Sequence, residues 1–197
     1  MLKIVQDNHL HFLKLFLKNP AEVGAIWPSS SELARAMIRD LALKPGEAVL
    51  ELGPGTGAFT AHIRSILPDP RAYIGIECEP NFVRLLERNF PDLRFIVGRA
   101  ENANELYEKA GIFPARAIIS GIPFANHWGE IGNHIIDALE HLMTPGCIFR
   151  TFQYVHAYTL PPAFKFRQRM TRVFGPCQRS RIVFRNLPPA FVLTWTR

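Results

Sequence analysis

The stretch AVLELGPGTGAFTAHI, residues 48–63, places Gly53, Gly55 and Gly57 at alternate positions directly after an apolar run. Glycine has no side chain and reaches backbone conformations closed to other residues, so such a turn lets the main chain approach a ligand closely at a strand tip. The spacing lacks the six-residue frame of a dinucleotide fingerprint, and no Gly-Lys-Ser/Thr is present, which argues against a phosphate-cradling nucleotide loop. Glu77 closes a second apolar run, YIGIE, with a carboxylate that can only accept hydrogen bonds. Side chains able to take a proton follow at Tyr154, His127 and His156, with no diagnostic spacing; a lone tyrosine or histidine is more often structural. Cys78, Cys147 and Cys177 are far apart and odd in number, so neither a zinc site nor a disulfide framework is expected. No metal is predicted, and reduced thiols favour the cytoplasm.

The elements that must hold these groups alternate. AVLELG, AYIGIE, RFIVG, ARAIISG and CIFRTFQYV read as short apolar strands. Between them AFTAHIRSILP, NFVRLLERNFP, ENANELYEKAG and GEIGNHIIDALEHLMTPG read as amphipathic helices. Apolar strands separated by helices predict a doubly wound α/β domain with a mostly parallel sheet covered on both faces. RIVFRN and AFVLTWTR are joined by only Leu187-Pro188-Pro189, too short for a parallel crossover, so they are expected as an antiparallel hairpin completing seven strands. A further helix is predicted from Ser31-Glu32 to about Leu43, and LPPAFKFRQRMTRVFGP reads as a loop that interleaves aromatic and basic residues. The length of 197 residues suits one domain.

Leu2, Val5, His9, Phe12, Leu13, Phe16 and Leu17 keep helical spacing within residues 1–20, flanked by Lys3, Lys14 and Lys18. Such a helix either lies in a lipid interface or packs on its own domain. No run reaches the length of a membrane-spanning helix, and the N-terminus has no signal-peptide pattern. From Cys147 onward there are nine basic residues and no acidic one, whereas the first 146 residues carry 14 basic against 17 acidic. That asymmetry suits an anionic partner, a phosphate-bearing surface or nucleic acid, and equally a solvated basic face, and charge by itself does not choose between them.

VLELGPGTG resembles the first motif of the Rossmann-like S-adenosylmethionine-dependent methyltransferases, and the likeness extends from about Leu43 through the terminal hairpin. The resemblance implies S-adenosyl-L-methionine as cofactor, with Glu51 and the backbone of Gly53, Gly55 and Gly57 beside its methionyl part. It implies that Glu77 takes the two ribose hydroxyls, with Cys78 and Ser120 bordering the same site. Where such enzymes often carry Gly-Asp-Ala after the third strand, this chain has Gly98-Arg99-Ala100-Glu101, so the adenine edge falls to the Ala100 backbone or to Glu101.

Two relatives compete for the methyl acceptor. The segment ISGIPFANHW is similar to the Asn-Ile-Pro-Tyr region of ribosomal RNA adenine dimethyltransferases, but Gly121 stands where the amide would be and the aromatic is Phe124. FLKNPAEVGAIWPSS, VLELGPGTGAFT, SGIPF and VFRNLPPA together resemble the bacterial phospholipid N-methyltransferases over nearly the whole chain. That resemblance implies methylation of the amine of phosphatidylethanolamine at an anionic membrane surface, by a cytoplasmic protein peripheral to the inner face of the membrane. RNA adenine N6-methylation, or another small amine-bearing substrate, is the alternative, with nucleic acid the weaker partner. The expected division is an N-terminal helix over 1–20 and a methyltransferase domain over 21–197. Ile122, Pro123, Phe124 and Trp128 are then expected to line the acceptor site, the two aromatics shielding a cationic centre. Tyr154 ranks ahead of His127 as the group that handles the proton.

Overall fold

The computed structural model describes residues 29–124 and 129–197. The helix expected over residues 1–20 lies outside the described residues.

Each element forms for a readable reason. Ser30 caps α1 (Ser31–Ile38), its hydroxyl accepting from Leu33 N at 3.1 Å. The helix ends five residues before the expected Leu43. Arg150 donates from Nη1 to the carbonyls of Met37 and Arg39, using up the last acceptors, and Asp40 then turns with φ of 59°. β1 (Ala48–Leu52) leads through the glycine turn into α2 (Thr60–Arg64), and β2 (Tyr73–Glu77) into α3 (Pro80–Asn89). β3 (Arg94–Val97), α4 (Ala103–Ala110), β4 (Ala115–Ser120), α5 (Glu130–Leu142) and β5 (Ile148–Tyr154) continue the alternation.

After β5 come α6 (Pro161–Phe174), β6 (Gln178–Arg179) and β7 (Ala190–Thr196), and the strands make one seven-stranded sheet in the order β3-β2-β1-β4-β5-β7-β6, parallel through β5. Both faces are buried, so β1 carries no exposed residue. Leu50, Leu52, Ile74, Ile118 and Phe149 form one core beneath α4, α5 and α6, and Val49, Tyr73, Ile119 and Phe152 form the other beneath α1, α2 and α3. The chain order reverses between β1 and β4, which opens a crevice beyond their carboxyl ends.

Two expectations are corrected. The segment read as an aromatic-basic loop is a helix, α6 (Pro161–Phe174). Pro161 and Pro162 fill its first turn, a place to which proline is well suited. Ala163, Phe166, Met170 and Phe174 recur on one face and are buried, and Gly175 at φ of 85° ends the run. The terminal hairpin exists, but its first strand is β6 (Gln178–Arg179) rather than RIVFRN, pairing with β7 (Ala190–Thr196). Beyond Arg179 the Ser180 hydroxyl accepts from Val192 N, the ladder is interrupted, and only an isolated bridge at Val183 pairs with Ala190. β7 also runs antiparallel to β5, with Tyr154 opposite Ala190.

Candidate active site

The turn after β1 is fastened to its neighbours before any ligand is considered. Gly53 N donates to Ile76 O at 2.9 Å, and Gly53, Gly55 and Gly57 have φ of 68°, 56° and 89°. Gly55 has open space over it: a Cβ there would meet nothing within 4 Å. Its N–H donates to Glu77 Oε2 at 3.0 Å, so the carboxylate closing β2 faces the glycine turn across the crevice. The other oxygen of Glu77 accepts from Glu79 N at 3.0 Å and from the Cys78 thiol at 3.4 Å. Glu77 is 6% exposed, fixed in direction and still reachable.

Glu51 lies on the sheet face covered by α1 to α3, not open at the crevice. It is fully buried, and its Oε2 accepts from Thr60 Oγ1 at 2.8 Å and from the Tyr73 hydroxyl at 2.5 Å. Oε1 is buried with no hydrogen-bond partner among the described residues. Burial pushes the carboxyl up to about 7, against the two hydroxyl donors that pull it down and with a small further push from the charge of Glu77. Tyr73 and Thr60 were missed from sequence. The one available signal was a phenol inside the apolar run YIGIE, at a position where a buried hydroxyl needs a partner.

After β3, Ala100 and Glu101 begin a short helical turn, Ala100–Asn102. Arg99 folds onto its neighbour, with Nε and Nη2 both donating to Glu101 Oε1 at 2.9 and 2.7 Å. The arginine that breaks the Gly-Asp-Ala pattern therefore orients a carboxylate two residues later.

At the tip of β4, Ser120 is fully buried and its Oγ accepts from Ile122 N at 3.2 Å, bracing the turn that follows. Gly121 is forced: a Cβ there would lie 2.7 Å from the Gly53 carbonyl oxygen. Installing an amide by Gly121→Asn is therefore expected to cost about 1–3 kcal/mol of stability by overpacking, measured as a shift in the urea midpoint with unchanged slope. Ile122 and Pro123 are half-buried beside this turn. Phe124, expected as an aromatic wall for an acceptor, is instead core: it is 1% exposed and stacks face to face on Phe166, centroids 4.3 Å apart. It offers no ring face to a ligand. His127 and Trp128 lie outside the described residues.

Tyr154 ends β5 at the same sheet edge, half-buried and stacked on exposed His156 with centroids 5.6 Å apart. Burial raises its phenol above the ordinary value, so it stays protonated and can place an amine by accepting a hydrogen bond but cannot act as a base. On the flank, Asn133, Lys165, Gln168, Arg169 and Arg172 line a groove of ≈310 Å³ between α5 and α6. Arg169 pairs there with Asp137 at 3.1 Å. Among the described residues no three His, Cys, Asp or Glu side chains gather as a metal site.

Comparison with known proteins agrees with this geometry. Residues 4–96 match the family model of protein-L-isoaspartate(D-aspartate) O-methyltransferase. The chain is 27% identical over 183 residues to the ornithine lipid N-methyltransferase of Singulisphaera acidiphila, a match covering 91% of each. It is 32% identical over 77 residues to ribosomal RNA small subunit methyltransferase A of Chlorobaculum parvum, covering 39% of this chain and 27% of that protein. A TehB-like S-adenosylmethionine-dependent methyltransferase from Corynebacterium glutamicum superposes with a TM-score of 0.62 at 15% identity, covering 97% of this chain and 99% of the other. Fold, glycine turn and relatives define one class: the chain is an S-adenosylmethionine-dependent methyltransferase of the Rossmann-like kind. Within that class it is similar along nearly its full length to an enzyme named for N-methylation of a lipid.

Proposed function

We propose that this methyltransferase transfers a methyl group to the amine of a membrane lipid headgroup, phosphatidylethanolamine in particular, at a membrane surface. The observation that carries the reading is the extent of its similarity to ornithine lipid N-methyltransferase, 91% of both chains, set beside a C-terminal third with no acidic residue. The ribosomal RNA relatives favour adenine N6-methylation as the second reading. Against it stand the short span of that match, the steric bar to an amide at Gly121 and the burial of Phe124.

The tips of β1 and β2 fit the cofactor. The open space over Gly55 leaves room for it, Glu77 offers a carboxylate to a pair of sugar hydroxyls, and the unpartnered Glu51 Oε1, buried behind the tip of β1, is a spare acceptor toward the methionyl end. When bound, S-adenosylmethionine supplies an already activated sulfonium methyl. The protein's work is then placement, holding the amine in line at roughly 3 Å, which accounts for most of the rate such a reaction needs. Glu77, held from both sides by Gly55 N and Glu79 N, fixes the sugar, with Cys78 beside it. Ala100 and the carboxylate of Glu101 border the adenine edge. The Ser120–Pro123 turn frames the acceptor, and Tyr154 receives a hydrogen bond from the amine. The proton lost by the ammonium passes to a histidine, either His156 at this edge or His127, which the sequence offers.

Purified protein should transfer tritiated methyl from S-adenosylmethionine to phosphatidylethanolamine dispersed in detergent. Label in ribosomal RNA with none in lipid would reverse the choice between the two readings.

A further inference from the structure

We infer that the turn Phe184–Pro189, together with the start of α6, is a built docking surface for an anionic lipid bilayer, set at the catalytic edge of the sheet. The inference gives the lipid reading above its partner surface and takes its biological sense from that reading. Because β7 runs antiparallel to β5 with Ala190 opposite Tyr154, the turn that precedes Ala190 emerges at the same carboxyl edge as the cofactor turn. Leu160, which begins α6, emerges there too, after the short turn that follows β5. Val155 N donates to Pro189 O at 2.9 Å and joins the two segments.

Four large apolar side chains stand out of this edge: Phe184 is 75% exposed, Leu187 68%, Phe164 55% and Leu160 44%. Floppiness does not explain them. Asn186, between Phe184 and Leu187, is 3% exposed; its Oδ1 accepts from Ser30 N at 2.9 Å and its Nδ2 donates to Pro188 O at 2.7 Å. A buried amide thus pins the turn while the residues on both sides of it point outward. Exposed apolar groups clustered on a fixed frame mark an interaction site.

Charge selects the partner. Lys165 and Arg185 are exposed on these same segments and Arg181 just before the turn, with no Asp or Glu from Cys147 onward. Among the described residues the one carboxylate that reaches them is Glu32, 3.7 Å from Arg185. Apolar side chains at the acyl boundary with cations at head-group level are the arrangement of an interfacial membrane contact. RNA is disfavoured because Leu160 and Leu187 have no ring on which a base can stack. Docking here would hold Tyr154 and the Ser120–Pro123 turn toward the head groups.

The test is co-sedimentation of the full chain with vesicles of phosphatidylglycerol and phosphatidylcholine, which hold no primary amine. The double change Phe184→Ser with Leu187→Ser should raise the lipid concentration for half binding at least tenfold, since fully burying one such side chain is worth about that much. Its melting temperature and its activity on detergent-dispersed phosphatidylethanolamine should match the wild type. The proposal is overturned if the variant pellets like the wild type, or if the wild type stays in the supernatant. A fall in melting temperature would overturn it as well, by showing these side chains to be covered within the protein, with residues 1–28 as the cover. So would a loss of single-stranded RNA affinity equal to the loss of vesicle affinity. Vesicle binding without lipid methylation in detergent would sink the acceptor assignment and leave the surface standing.

Discussion

Gly55→Asp should abolish cofactor binding while leaving the fold nearly intact. Calorimetric titration with S-adenosylhomocysteine is expected to show affinity reduced at least 100-fold, about 3 kcal/mol. Two effects combine. A side chain at Gly55 projects into the space that is empty over the turn, and a new carboxylate there faces Glu77, whose Oε2 is 3.0 Å from the Gly55 nitrogen. Like charges on the two sides of this turn repel each other, which opposes the seating of the cofactor's sugar on Glu77. Stability should fall by only about 1 kcal/mol, the strain of a non-glycine residue at φ of 56°, because no atom lies within 4 Å to be displaced. A large loss of stability with affinity preserved would place the cofactor elsewhere.

The second large effect concerns pH. Glu51 titrates at about 7 in the folded protein, against 4.5 for the ordinary carboxyl. The folded state therefore holds this proton more tightly than the unfolded chain does. Stability from this group is intact below about 4.5, declines as pH rises through the interval up to about 7, and is fully lost above it. At 1.36 kcal/mol per pH unit the loss is about 3 kcal/mol. Glu51→Gln removes the titration. Its buried amide nitrogen carries a penalty of its own, but one that does not vary with pH. Relative to wild type, the variant should gain about 3 kcal/mol between pH 4.5 and pH 8 in urea unfolding. A relative gain below 1 kcal/mol would mean that Thr60 and Tyr73 keep the carboxylate ionised despite its burial. The same substitution should weaken S-adenosylhomocysteine binding if Oε1 receives the cofactor's ammonium.

Much of the protein could be read along the chain, because it depends on local pattern. The alternation of apolar strands and amphipathic helices announced a doubly wound sheet with an antiparallel return at its end, although the first strand of that return is Gln178–Arg179 and not RIVFRN. Three glycines at alternate positions after the first strand marked a tight turn at its tip, where all three have positive φ, and the carboxylate closing the second strand accepts from the backbone of that turn. Each of these follows from backbone geometry within a few neighbouring residues.

What only the tertiary structure decided are features set by residues distant in sequence. Arg150, 111 residues after Arg39, decides where α1 stops by taking its last carbonyls. Phe124 became core, not acceptor wall, because Phe166 comes from a helix whose interleaved aromatic and basic residues read as a loop. Gly121 is fixed by the Gly53 carbonyl 68 positions earlier in the numbering, at a distance no local pattern reveals. Glu51 owes its raised proton affinity to a sheet face closed by α1, α2 and α3, with Tyr73 coming from the adjacent strand. The physical reason is common to all four. Propensity and periodicity act over one or two turns of chain, whereas desolvation, steric exclusion and hydrogen-bond satisfaction depend on which distant side chain fills the adjoining space.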